Sequence, residues 1–120
     1  MEDQNHNKEI DDRNLVVFNT FSKLVNELNE LFGKHDKGLP LYDRLIKKTA
    51  VVHKNAIQKH IDTLREFCVE NRDAIYEQNH KKLKIKTISY SDNVKINIKK
   101  IFELSDIEEK NTIWKYFLII

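Results

Sequence analysis

Glycine occurs twice in this chain, at Gly33 and Gly38, and proline once, at Pro40. Backbone that must run at positive φ, or pass close to a ligand, depends on glycine. The dinucleotide-binding fingerprint needs three glycines within six residues, and a phosphate-binding P-loop needs two ahead of a Lys-Ser/Thr pair. Neither can be written with Gly33 and Gly38. Sandwiches and barrels, with their many turns, ordinarily use more glycine than this. The two glycines bracket one short loop, which leaves nearly all of the rest free to be helix.

Apolar spacing supports helices. Over residues 14–32, Phe18, Phe21, Leu24, Val25, Leu28, Leu31 and Phe32 recur at intervals of three and four. Gly33 then suits the left-handed position that ends a helix. Pro40 fits the first turn of a second helix, whose apolar face carries Leu41, Tyr42, Leu45 and Ile46. A third helix is expected from about residue 52 to 69, with Ala56, Ile57, His60, Ile61, Leu64, Phe67 and Cys68 on its buried stripe. Asn71 can cap a short helix through Ala74, Ile75 and Tyr76, or the third helix can run on. Ser105 or Asp106 caps a last helix with Glu108 and Glu109 in its first turn.

Residues 82–98 admit two readings. Leu83, Ile85 and Thr87 alternate with lysines, and Val94, Ile96 and Ile98 alternate again after the turn signal Ser91-Asp92-Asn93. That pattern allows a small β-hairpin around residues 84–97. The favoured alternative is a short extended segment at 84–89 followed by a helix near 96–104. The fold class expected is all-α: one compact bundle of five or six helices over residues 13–120, behind an acidic flexible tail at 1–12. The expected core is Phe18, Phe21, Leu24, Val25, Leu28, Leu45, Ile57, Ile61, Leu64, Phe67, Ile101, Trp114, Phe117 and Leu118.

A length of 120 residues suits one domain. One cysteine, Cys68, rules out an internal disulfide and a multi-cysteine zinc site. The polar, acidic start lacks the basic and apolar regions of a secretory leader, and one free thiol suits a reducing compartment. The longest apolar run, residues 116–120, has five residues, far short of the ~18 of a spanning helix. An intracellular protein without membrane insertion is expected.

No catalytic pattern emerges. His53 and His60 are seven apart, or about 10 Å along a helix, too far to share a metal ion. His60 and Cys68 are eight apart, about 12 Å, too far to form a base and nucleophile pair. Asp62, Glu66, Glu70, Asp73 and Glu77 repeat mostly every four residues, as a solvated helix face does. None of the four serines stands in a nucleophile-elbow context. The expectation is therefore a non-enzymatic protein with no cofactor, no metal and no small-molecule substrate.

Two features remain. The net charge of +2 conceals a segment, residues 80–100, with seven lysines and one acid, between acidic ends. Lys81, Lys82, Lys84, Lys86, Lys95, Lys99 and Lys100 surround Tyr90 and form a candidate contact for nucleic acid or another anion. The same lysines can equally be a solvated surface or guard a sheet edge. The second feature is the end of the chain, apolar almost all round from Ile113 to Ile120. Such a helix is buried, or it presents Trp114, Phe117, Ile119 and Ile120 to a protein partner or a second copy.

Taken together, Leu41-Tyr42-x-Arg44-Leu45-Ile46-x-x-Thr49, His60-Ile61-x-x-Leu64-Arg65-x-Phe67-Cys68-x-x-Asn71, Ile88-x-Tyr90-Ser91 and Ile113-Trp114-Lys115-Tyr116-Phe117-Leu118 resemble a pattern found in small uncharacterised proteins of large nucleocytoplasmic DNA viruses, the giant viruses. The likeness spans about residues 14–118. It implies a viral, intracellular, mainly helical protein, and carries no established activity and no catalytic residues. Lys, Ile and Asn, whose codons are A/T-rich, supply 43 residues, in keeping with an A/T-rich genome. The first functional expectation is a viral structural or interaction module working through an apolar helix face. The alternative is a nucleic-acid-binding module using residues 81–100.

Overall fold

The computed structural model describes residues 12–49 and 53–120. The tail expected at 1–12 lies outside them, except for Asp12, which opens the first helix. Six helices follow one another: α1 (Asp12–Phe32), α2 (Gly38–Lys48), α3 (Lys54–Glu70), α4 (Arg72–Glu77), α5 (Ile98–Leu104) and α6 (Ile107–Ile119). Between α4 and α5 come a 3-10 turn at His80–Lys82 and two strands, β1 (Thr87–Ser89) and β2 (Lys95–Asn97). The start expected for the third helix, Val52, is outside the described residues.

The two readings of residues 82–98 turn out to be compatible. β1 and β2 pair antiparallel, with Ile88 opposite Ile96 and Ser89 opposite Lys95. Both isoleucines are buried, and Ser89 and Lys95 face out. Helix α5 starts directly after β2, where the Asn97 side chain accepts the Lys100 N–H. Period-two and helical signals coexist because the hairpin is only three residues deep on each side.

Helix α1 is the axis of the core and packs against α2, α3 and α6. It buries Phe18, Phe21, Leu24, Val25, Leu28 and Phe32 on one face. The expected core is buried, apart from Leu45, which is half-buried, and Leu118, which is 50% exposed. Leu118 lies on the outer side of α6, whose inner side carries Ile113, Trp114 and Phe117. On α2 the exposed Leu41 gives way to Leu39 as a core residue. The start of α6 is a reciprocal capping box: Asp106 accepts the Glu109 N–H, and the Glu109 carboxylate accepts the Asp106 N–H.

The glycines act differently from expectation. Gly33 does not adopt a positive φ; its N–H continues the helical pattern to the Asn29 carbonyl. Gln78, which closes α4, is left-handed instead, at φ 53°. Gly38 is needed for closeness. A Cβ there would stand 1.7 Å from the Lys95 carbonyl oxygen, because the first turn of α2 lies directly on β2.

One core group is polar. His60 is fully buried, with its ring 4.3 Å from Tyr90, 5.7 Å from Tyr42 and 5.8 Å from Phe18, centroid to centroid. Neither of its ring nitrogens has a hydrogen-bond partner, and the Tyr42 hydroxyl has none either. Burial, aided by the Lys59 charge, lowers the His60 pKa to about 4.

Two predictions follow from this packing. Gly38→Ala must push β2 from α2 and should cost about 1–3 kcal/mol, read from urea unfolding; an unchanged midpoint would refute the contact. His60 is neutral in the folded chain down to about pH 4, whereas in the unfolded chain it titrates near 6.5. Its favourable contribution is therefore complete above about pH 6.5 and falls away between there and about pH 4, by about 3 kcal/mol in all. Melting curves across that range should show the loss, and His60→Phe should remove it.

Candidate nucleic-acid interface

Two polar side chains hold the lysine-rich segment on the helical body. Asn71, at the junction of α3 and α4, is buried. It makes no capping bond, contrary to expectation. Its Oδ1 instead accepts the N–H groups of Lys84 (2.6 Å) and Ile85 (3.0 Å), and its Nδ2 donates to the Ile85 carbonyl (2.7 Å). Asn71 faces a neighbouring backbone that has no strand partner there, so its amide fills the place of one. At the other end, Asp36 Oδ1 accepts the Gly38 N–H and Oδ2 accepts the Asn97 N–H. One carboxylate thus joins the start of α2 to the end of β2.

The loop after α1 and the hairpin enclose a cleft of about 980 Å³. Lys34 and Lys37 line it from the loop, and Lys95 and Lys100 from β2 and α5, with Asp36 and Asp92 as its acids. Asp36 is committed to the two backbone N–H groups. The Lys100 ammonium donates to the His35 carbonyl, which joins α5 to the loop. The Lys99 N–H donates to the Lys86 carbonyl, which ties the start of α5 to the segment ahead of β1.

The expected lysines therefore divide. Lys95 and Lys100 share the cleft. Lys84 and Lys86 are exposed, and Lys81 is exposed on the 3-10 turn. Lys82 is paired with Glu77 at 2.5 Å, which raises its pKa and offsets its charge. Lys99 is half-buried beside His80, whose pKa it helps to lower. Lys34 and Lys37 were absent from the expected set. They lie about 60 residues away in sequence, and no local pattern links them to Lys95.

The aromatic candidates need correction. Tyr90 is half-buried, stacked on His60 and covered by the Lys59 ammonium 4.2 Å from its centroid. Its ring belongs to the core cluster and not to the lysine surface. Trp114 and Phe117, offered as partner contacts, are also core residues, each 3% exposed. Ile119 is 71% exposed and Ile120 half-buried, so of these four candidates only those in the last turn of α6 reach the surface.

A different ring stands at the lysine surface. His80 is half-exposed and lies nearly parallel to Phe102, at 14° and 5.6 Å. Phe102 in turn stacks on Trp114, at 25° and 4.4 Å. Three rings thus form a column from the core to the surface. Burial lowers the His80 pKa, and the charges of Lys110, Lys81 and Lys99 lower it further against the opposing Glu103. Sequence reasoning missed His80 because its partners come from α5 and α6.

Other chemistry has little geometric basis. Burial pushes the Cys68 thiol up to about 11, which leaves it protonated at neutral pH. Asp62, Glu66, Glu70, Asp73 and Glu77 are all exposed, as a solvated face should be. Among the described residues no three metal-ligating side chains come together, and no helix is long and apolar enough to cross a membrane.

No curated protein and no solved structure matches this chain. The model of a family of unknown function, DUF5891, matches residues 17–120, which is every helix described above but the first turn of α1, and the chain therefore belongs to that family.

Proposed function

We propose that this chain is a non-enzymatic module that binds the phosphate backbone of nucleic acid. The observation that carries this reading is the cleft in which Lys34 and Lys37 meet Lys95 and Lys100. Lysines from two distant segments gather on one side of a chain whose net charge is only +2. Four ammonium groups around one concavity attract a polyanion, and binding gains free energy by releasing its condensed counterions. No arginine lines the cleft, so bidentate base readout has no donor there and binding should be largely sequence-independent. This reverses the order of the sequence-based expectations, because the apolar anchors Trp114 and Phe117 are spent on the core. We extend the proposal to the setting that the resemblance implies, a viral protein acting inside an infected cell.

The interaction-module reading retains one observation of its own. Leu118 and Ile119 are 50% and 71% exposed at the end of α6. A second copy or a protein partner is the natural cover for them. Light scattering on the wild type and on Ile119→Lys would test self-association: a dimer lost in the variant supports it, and a monomer in both removes it.

Nucleic-acid binding makes a quantitative prediction. Affinity for a labelled oligonucleotide should fall steeply between about 50 and 200 mM salt. Replacing Lys34, Lys37 and Lys95 together by alanine should flatten the log–log salt slope by about two to three units. Lys100 is left in place because its ammonium also holds the His35 carbonyl. Binding that keeps its slope in the triple variant would move the interface elsewhere, and no binding at low salt would end the reading.

A further inference from the structure

We propose that the nucleic acid is single-stranded, and that an unpaired base stacks on His80 while its flanking phosphates meet Lys81, Lys99 and Lys110. This rests on the reading above and deepens it. Three observations converge on the same spot. His80 is half-exposed, and one face of its ring is fixed by the near-parallel Phe102. Phe102 is itself held by Trp114, so the column is anchored in the core and the outermost ring is presented in a set orientation. Lys81, Lys99 and Lys110 all lie close enough to act electrostatically on the imidazole, with Glu103 as the one acid among them.

The chemistry of that arrangement selects the ligand. A ring held by a stack beneath it loses little freedom when a second flat group joins the stack. Burial and then those lysines lower the His80 pKa, which disfavours the imidazolium, so His80 offers a ring face and the surrounding ammonium groups offer the charge. Single-strand binders combine these same two elements, a platform for bases and a basic track for the backbone. Bases inside a duplex are stacked on each other and present only their edges, so a duplex can use the lysines but not the ring. Tyr90, the one tyrosine within the lysine-rich segment, has no such freedom, because His60 and Lys59 already occupy it. Lys99, beside the ring, is followed on α5 by Lys100, which lines the cleft.

The test compares an oligothymidylate of about 12 nucleotides with a duplex of the same length, by fluorescence anisotropy over a series of salt concentrations. His80→Ala should weaken single-strand binding by about tenfold or more and leave duplex binding and the salt slope unchanged. His80→Phe restores a ring and should recover the single-strand affinity. A thermal melt of each variant checks that the column has not collapsed. Unchanged single-strand affinity in His80→Ala, with the triple lysine variant still impaired, would overturn the stacking and leave the cleft reading standing. Equal weakening for strand and duplex, or no recovery in a folded His80→Phe, would also overturn it. Loss of the cleft reading itself would appear differently, as no binding by the wild type to either oligonucleotide.

Discussion

The Asn71 amide is the contact on which the shape of the basic surface depends. A segment with lysines at four of six positions, Lys81 to Lys86, repels itself and has little apolar surface of its own. Left alone it would not hold one conformation. Asn71 supplies three hydrogen bonds to its backbone from inside the helical body, at 2.6 to 3.0 Å. Leu83 and Ile88 add buried anchors on either side. An amide is suited to this position because it offers both a donor and an acceptor, as a neighbouring strand would. An aspartate of the same size could accept the two N–H groups but would face the Ile85 carbonyl without a donor. Removing the amide leaves three partly buried backbone groups without this partner. Asp36 repeats the device at the far end, with a carboxylate bridging two N–H groups.

With the backbone held, the distribution of charge follows. Lys82 is matched to Glu77, and Lys47 to Asp43. Such surface pairs contribute little to stability, but they subtract from the local field. Around the cleft, Lys34, Lys37, Lys95 and Lys100 outnumber the two acids, Asp36 and Asp92. Asp36 lies in the middle of them, yet its two oxygens are committed to N–H groups. A chain with a net charge of +2 thereby presents one region where cations dominate. Net charge governs long-range approach, while the grouping of charges governs where a polyanion settles.

The helices were legible because each has a wide apolar face at helical spacing. Phe18, Phe21, Leu24, Val25 and Leu28 mark α1 without reference to any partner, and Asp106 with Glu109 marks the start of α6 from four residues alone. The site was legible only in half. Lys95 and Lys100 stand out in a lysine-rich stretch, but Lys34 and Lys37 read as part of a polar loop. What joins them is the contact of Gly38 with the Lys95 carbonyl and of Asp36 with the Asn97 N–H, both across about 60 residues. Gly33 misled for the opposite reason: glycine after a helix usually marks a left-handed residue, but here the helical bonding runs through it. His80 gave no signal, since a single histidine acquires meaning only from Phe102 on α5 and Lys110 on α6, distant in sequence.

The partition of aromatic side chains bears on which kind of partner the surface favours. All six phenylalanines, Tyr42 and Trp114 are buried. A domain this small needs its largest side chains inside, because its surface is large relative to its volume. Tyr90 and Tyr116 are half-buried, the latter with its hydroxyl donating to Glu27, and only Tyr76 is fully outside. Protein interfaces draw most of their binding energy from buried Trp, Tyr and Arg anchors, and lysine is depleted there. This surface has the reverse composition around the cleft. Phosphate binding asks for no aromatic anchor and loses little when lysines stay hydrated and mobile. The one ring the core does deliver to the lysines is His80, at the end of a column that α5 and α6 must form in any case to bury Phe102 and Trp114. The packing that stabilises the bundle is therefore also what orients the His80 ring.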